Sequence, residues 1–245
     1  MKAIILAAGL GKRLASVTGG APKCLVPVAG RTILDRMIER LVEAGLRDII
    51  VVTGHRREDV ERHLDASSMP EARGAVRVFN ERYADWGNFY SLLVAEQAVG
   101  GDSFIKLDGD VLLDGRVLPI LLAADGPGAL CVDAWDGIGE EEMKVRVDER
   151  GRAVELSKRI DPAASLGESL GVDRIDADLA PAVWAELRAM IDAGQTDEYY
   201  EYAYERLMQK GTPFAVADVT KCQWAEIDNA EDLAAAEALL AKMNG

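Results

Sequence analysis

The chain has 245 residues, 49% of them hydrophobic, and carries 28 Lys and Arg against 42 Asp and Glu for a net charge of −14. That much apolar material buries a full core, and one domain with an insertion accounts for the length better than two domains. Nucleic acid and anionic membranes would repel such a chain, so any anionic ligand must be held by a local cluster of basic side chains.

Residues 2–7 read as a buried parallel strand, and the small residues that follow let backbone N–H groups approach phosphate oxygens. Residues 32–46 place Ile33, Met37, Ile38, Leu41 and Val42 at helical spacing behind a capping box of Thr32 and Asp35. Residues 48–53 form a second buried strand, 57–64 a short helix, 76–79 a third strand, 88–98 a helix and 103–107 a fourth strand. Strands alternating with helices imply a mostly parallel sheet covered on both faces. Beyond residue 128 the period changes to two, and 143–148 with 153–158 reads as a hairpin turning at Arg150-Gly151. Residues 178–193 and 197–209 read as helices, 214–219 as a strand and 231–243 as a closing helix. The divisions expected are 1–127 as the core, 128–212 as an insertion, and 213–245 as a return strand and closing helix.

The chemistry concentrates in a few segments. Leu6-Ala7-Ala8-Gly9-Leu10-Gly11-Lys12-Arg13-Leu14, answered by Pro22-Lys23-Cys24-Leu25, combines close-approach backbone with three cations, as a nucleoside triphosphate requires. It lacks the Gly-Lys-Ser/Thr ending of a Walker A loop and the third glycine of a dinucleotide fingerprint. Leu107-Asp108-Gly109-Asp110 follows an apolar strand, so its carboxylates emerge at the carboxyl end of the sheet. Trp224-Ala225-Glu226-Ile227-Asp228 is a second strand ending in Asp, although Asp228 or Asn229 could instead cap the last helix. Carboxylates from two distant strand ends suit Mg²⁺. In the hairpin, a three-residue loop centred on Gly151 sets Lys144 opposite Lys158, a pair of like charges that calls for an anion between them; a two-residue loop sets Lys144 opposite Ser157 and leaves two ordinary lysines. Cys24, Cys131 and Cys222 are odd in number and widely spaced, which argues against disulfides or zinc and for a reducing cytoplasm. The N-terminal run lacks a convincing signal-peptide cleavage site, and no apolar run is long enough to span a bilayer. His55 and His63, the two histidines, read as surface residues and offer little support for histidine catalysis.

The LxxGxGxRL and PKxL pattern resembles the signature of the nucleotidyltransferase family of GT-A-like fold, which includes sugar-1-phosphate nucleotidyltransferases and small-alcohol-phosphate cytidylyltransferases. Residues 80–92, Asn-Glu-Arg-Tyr-Ala-Asp-Trp-Gly-Asn-Phe-Tyr-Ser-Leu, resemble the phosphocholine, phosphonate and inositol-phosphate cytidylyltransferase subgroup, as do Glu140–Val145 and Leu156-Ser157-Lys158. The resemblance implies a Rossmann-like three-layer α/β sandwich with a hairpin and helical insertion that binds the acceptor. It places Mg²⁺ on Asp110 and Asp228, with Asp108 contacting ribose or a metal-bound water. It puts base and ribose against Leu6, Ala7, Ala8, Gly9, Gly11, Asn88 and Ser91, and the β- and γ-phosphates on Arg13 and Lys12. Lys23 then faces the α-phosphate, Lys144 and Lys158 the acceptor phosphate, and Asp197, Glu198 and Tyr199 an amine head group. The expected reaction is transfer of CMP from CTP to 2-aminoethylphosphonate or phosphocholine, with inositol 1-phosphate or a sugar 1-phosphate as alternative acceptors. A nucleotide sensor without turnover is the reading from another class. No nucleic acid or membrane partner is expected, and a homodimer is left open.

Overall fold

A computed structural model describes residues 1–14, 18–135 and 137–243. Strand β1 (Lys2–Ala7) alternates between two buried faces, with Ala3, Ile5 and Ala7 in one apolar cluster and Ile4 and Leu6 in the other. Burial on both faces explains why this strand reads as a continuous apolar run.

The chain next forms a small ribbon of β2 (Pro27–Val28) and β3 (Arg31–Thr32), then helix α1 (Ile33–Glu43). The Thr32 hydroxyl accepts the Asp35 backbone N–H at 3.1 Å, giving one arm of the expected capping box. The Asp35 carboxylate turns instead to His63, 2.9 Å from Nε2, so His63 is a half-buried partner rather than a surface residue. Strand β4 (Ile49–Thr53) pairs in parallel with β1, and after α2 (Arg57–Ala66) and α3 (Pro70–Gly74), β5 (Val76–Phe79) pairs in parallel with β4. The expected helix over 88–98 is two short ones, α4 (Asn88–Leu93) and α5 (Glu96–Val99). Strand β6 (Phe104–Asp108) then returns to the other side of β1.

The order β5-β4-β1-β6 therefore reverses at β1, and the loops leaving β1 and β6 diverge there to open a crevice. Gly109 belongs to that junction, because a Cβ on it would lie 2.4 Å from the Leu6 carbonyl oxygen. His55 ties the rim together: its backbone N–H donates to Ala8 O at 3.1 Å, and its Nε2 lies 3.1 Å from Gly20 O.

The remaining elements are β7 (Val111–Leu113), α6 (Val117–Ala123), β8 (Gly128–Asp133), β9 (Lys144–Val147), β10 (Ala153–Ser157) and β11 (Gly167–Ile175). After them come α7 (Ala180–Asp192), α8 (Glu201–Gln209), β12 (Ala215–Asp218), β13 (Trp224–Glu226) and α9 (Ala230–Met243). Strand β11 runs antiparallel to β6 and carries β8 and β9 into the same sheet, while β13 pairs with β7 beside the crevice. Helices α1, α2, α3, α6 and α9 cover one face and α4, α5, α7 and α8 the other, giving three layers.

The hairpin takes neither simple register from its loop alone. Val147 pairs with Ala153 around a turn at residues 149–151, and Gly151 supplies the left-handed conformation at φ +73°. Val154 is then skipped as a bulge, which shifts every later pair by one residue. Lys144 consequently faces Ser157, so the expected juxtaposition with Lys158 is corrected. The helix expected over 197–209 begins only at Glu201, because residues 196–200 run along α4. Gly87 N–H donates to Thr196 O at 2.7 Å, and the Asn88 side-chain oxygen accepts Tyr200 N–H at 2.9 Å.

Among the described residues, no helix is long and apolar enough to cross a membrane. Cys24, Cys131 and Cys222 are all unbridged.

Candidate active site

The crevice opens into a cavity of about 740 Å³, floored by Leu6, Ala8 and Gly9 from the β1 exit and by Asp108, Gly109 and Asp110 from the β6 exit. Three distant segments meet at its mouth. Lys23 lies in a short 3-10 turn after Pro22, and its Nζ is 2.6 Å from Asp110 Oδ2 while also contacting Asp228 Oδ1. Arg13, largely exposed, pairs with the other Asp228 oxygen. Asn229 performs the helix capping that Asp228 might have done, accepting the Asp232 N–H at 3.0 Å, so the Asp228 carboxylate is left for the two cations. Burial alone would lower the Lys23 pKa, but Asp110 and Asp228 outweigh it and hold the ammonium above the ordinary lysine range.

Glu226 completes this group. Its carboxylate and those of Asp110 and Asp228 offer oxygen atoms all within 4.8 Å of one another. Partial desolvation in the cleft, followed by the charges of Asp110 and Asp228, pushes Glu226 up to about 8, and Lys23 only partly offsets them. An all-oxygen donor set at that spacing fits a hard divalent cation such as Mg²⁺. The sequence carried the signal for Glu226, since a residue two before Asp228 at a strand end shares its side.

Asp108 is set by a buried network that the sequence reading missed. Lys106, fully buried in β6, lies 2.8 Å from Asp173 Oδ2 and 3.5 Å from Asp108 Oδ1, and donates to Gly171 O at 2.9 Å. Lys106 also donates to the Tyr200 hydroxyl, which in turn donates to Asp108 Oδ2 at 3.0 Å. Burial raises the Asp108 carboxyl to about 6, with Lys106 opposing and Asp110 and Asp173 adding to the rise. Room for Asp108 comes from Gly171, whose φ is +67° and where a Cβ would sit 2.1 Å from Asp108 Oδ2. Gly171→Ala is therefore expected to lower stability by about 1–3 kcal/mol, read as a drop in thermal midpoint. An unchanged midpoint would show that β11 relaxes around the methyl group.

Of the expected nucleotide-binding residues, Leu6, Ala8, Gly9, Arg13, Lys23, Asn88, Ser91 and Asp108 line the cavity. Ala7, Gly11 and Lys12 do not: Ala7 packs into the core, Lys12 is exposed, and Gly11 abuts Lys23 from outside the cavity, its Cβ position 3.6 Å from Lys23 Cβ. The Ser91 hydroxyl accepts from Asn80 Nδ2 at 2.9 Å, and Arg82 N–H fixes the other end of that amide at 2.7 Å. Of the expected acceptor-binding residues, Lys158 and Tyr199 reach the main cavity, with the Lys158 ammonium 5.3 Å from the Tyr199 ring centre. Glu198 borders only a smaller neighbouring cavity of about 100 Å³, while Asp197 is exposed and borders neither. Lys144 is corrected as well, because its buried ammonium is turned away from both cavities onto backbone carbonyls.

The end of the cavity beside β9 and β11 is acidic through Glu141, Glu142, Glu168 and Glu201, none of them among the expected site residues. Burial, with Glu142 and Asp133, lifts Glu168 to about 7; burial, with Asp108, lifts Glu201 to about 8. Each group binds its proton more tightly folded than unfolded. The stability this contributes is complete below the unfolded carboxyl range near ~4 and is lost as pH rises through the folded values. The thermal midpoint measured without divalent cations is accordingly expected to fall across pH ~5–8, and a flat or rising profile over that window would contradict these assignments.

Comparison with known proteins agrees with this architecture. The MobA-like NTP transferase domain matches residues 3–219. The choline-phosphate cytidylyltransferase of Streptococcus pneumoniae is 41% identical over 108 residues, 44% of this chain and 44% of that protein. The CMP-5'-(3-aminopropyl)phosphonate synthase of Streptomyces rubellomurinus is 30% identical over 250 residues, 95% of this chain but 37% of that protein. The chain thus spans less than half the length of these two curated relatives. Among solved structures, the inositol-1-phosphate CTP transferase from T. maritima superposes with a TM-score of 0.81 at 26% identity, covering 99% of this chain and 96% of that one. The CTP:phosphocholine cytidylyltransferase of Streptococcus pneumoniae gives 0.79 at 26% identity, covering 98% of each chain. With the matched domain running from β1 through β12, the chain belongs to the MobA-like NTP transferase domain family.

Proposed function

We propose that the protein is a CTP-dependent cytidylyltransferase acting on a small phosphonate or phosphate ester that bears an amine, with 2-aminoethylphosphonate or phosphocholine as first choice. The convergence of Lys23, Asp110 and Asp228 at the switch-point crevice carries this reading. The names of the phosphocholine and aminopropylphosphonate relatives support the acceptor class, as does the acidic wall at the cavity's far end.

In the proposed reaction an acceptor oxygen bonds to the α-phosphorus of CTP, the bond from that phosphorus to the bridging oxygen of the β-phosphate breaks, and pyrophosphate leaves with the electron pair. The acceptor is already ionised at neutral pH, so no side chain need remove a proton, and positioning with charge neutralisation carries the rate. Asp110 and Asp228, joined by Glu226, would hold Mg²⁺, which when bound supplies charge neutralisation at the phosphates. Lys23 donates to the α-phosphate as negative charge builds there, and Arg13 meets the outer phosphates. The floor at Ala8 and Gly9 admits the nucleoside, and Asn80 holds Ser91 toward it. Lys158 faces the acceptor phosphate, while Glu168 and Glu201 face its cationic end.

The test is pyrophosphate release with Mg²⁺, each of the four NTPs being paired with 2-aminoethylphosphonate, 3-aminopropylphosphonate, phosphocholine, inositol 1-phosphate and glucose 1-phosphate. Release confined to CTP with an amine-bearing acceptor is the expected result. Release with inositol 1-phosphate alone would overturn the amine assignment, and release with UTP and glucose 1-phosphate would overturn the base as well. Nucleotide binding with no release anywhere would favour a sensor.

A further inference from the structure

Lys144 is a lysine with no exposed surface and, among the described residues, no carboxylate partner. Its ammonium donates to three backbone carbonyls of the preceding turn, Gly139 at 3.1 Å, Glu140 at 2.8 Å and Glu142 at 3.1 Å. Those bonds use all three of its donors. Burying an ammonium is costly unless it is fully bonded, so the three carbonyls and the cation fix one another. The turn they define connects β8 to β9 and brings Glu141, Glu142 and Met143 onto the wall of the main cavity.

The sheet register adds a second observation. Strand β9 pairs with β11 so that Lys144 stands directly across from Glu168, yet the two do not pair. Because the Lys144 ammonium is committed to the turn, Glu168 lines the cavity with no ion pair among the described residues. Met143 O accepts the Ser169 N–H at 2.8 Å and fastens the end of the turn to the strand that bears Glu168. Glu142 and Glu168 are close enough that the Glu142 charge helps to lift Glu168 toward neutrality.

We propose that Lys144 is a positioning residue, holding the 139–142 turn so that Glu141 and Glu142 join Glu168 in a wall that receives the ammonium end of the acceptor. The choice of ammonium rests on the amine-acceptor reading above; the hold on the turn does not. A lysine that would otherwise neutralise this wall instead shapes it.

Lys144→Met retains the apolar stem and removes the cation. Backbone amide exchange over residues 139–143, followed without any substrate, is expected to speed up at least about tenfold, while exchange in β6 stays at the wild-type rate. In pyrophosphate-release kinetics, KM for 2-aminoethylphosphonate is expected to rise about tenfold with KM for CTP within about twofold, and the preference over ethylphosphonate should shrink correspondingly. Lys144→Arg, which keeps the charge but not the three-donor geometry, should show the same split more weakly and guards against a Met variant that fails to fold. Unchanged exchange in the turn would overturn the hold on it. Faster exchange with an unchanged preference for the amine would overturn its role in acceptor recognition. Wild-type protein inactive toward every amine acceptor would overturn the amine reading, and the exchange measurement would still decide whether Lys144 holds the turn.

Discussion

Lys23→Ala is expected to lower turnover about 100- to 1,000-fold, the typical loss for a donor aimed at charge that develops in a transition state. The ammonium is held by Asp110 and Asp228, and the residue belongs to neither apolar cluster, so its removal leaves the sheet and both apolar layers in place. It also takes a cation from between two carboxylates, which favours a divalent ion there. The fall should therefore appear in kcat at saturating CTP and Mg²⁺, with the thermal midpoint close to wild type. Turnover within about threefold of wild type would remove Lys23 from the chemistry and leave it as a counter-ion for the acidic cluster.

The largest stability loss is expected at Lys106, at the centre of β6. Asp173 stands directly across from it on β11, 1% exposed, and depends on Lys106 for compensation. Breaking a buried pair by removing one partner costs about 3–5 kcal/mol. For a chain of this length, Lys106→Met should thus lower the thermal midpoint by roughly 6–20 °C. The double change Lys106→Met with Asp173→Leu should recover most of that loss, because an apolar pair can replace a buried ion pair at little cost. If the double variant is no more stable than the single one, the Lys106 bonds to Gly171 O and Tyr200 matter more than its charge pairing.

The parallel half of the fold was legible because β1, β4 and β6 are buried on both faces and the helices between them show clear periodicity. The glycines and cations of residues 9–23 and the Asp-ended strands were legible for a similar reason: chemistry placed at the carboxyl ends of strands is a local pattern. Lys144 was misread because the turn falls at residues 149–151, one residue earlier than a loop centred on Gly151; that turn alone would set Lys144 across from Leu156, the bulge at Val154 moves it on to Ser157, and spacing alone reveals neither step. Asp197 and Glu198 were misread because the tertiary bonds at Gly87 and Asn88 hold residues 196–200 out of the helix that propensity favours. Glu168 and Asp173 carried no local signal, since their environments depend on β11 lying between β6, β8 and β9. Lys106 did carry one: a lysine inside an otherwise apolar central strand, two residues before an aspartate, requires a buried partner.

In the proposed reaction an acceptor phosphonate or phosphate displaces pyrophosphate from CTP at the Lys23, Asp110 and Asp228 cluster. Phosphorus NMR of CTP, Mg²⁺ and 2-aminoethylphosphonate with the wild-type protein tests it most directly. The expected result is a pair of mutually coupled phosphonate and phosphate resonances from a new P–O–P anhydride, growing in step with pyrophosphate and absent with Asp228→Asn. Unchanged CTP with each amine-bearing acceptor, or an anhydride that forms equally well with Asp228→Asn, would contradict it.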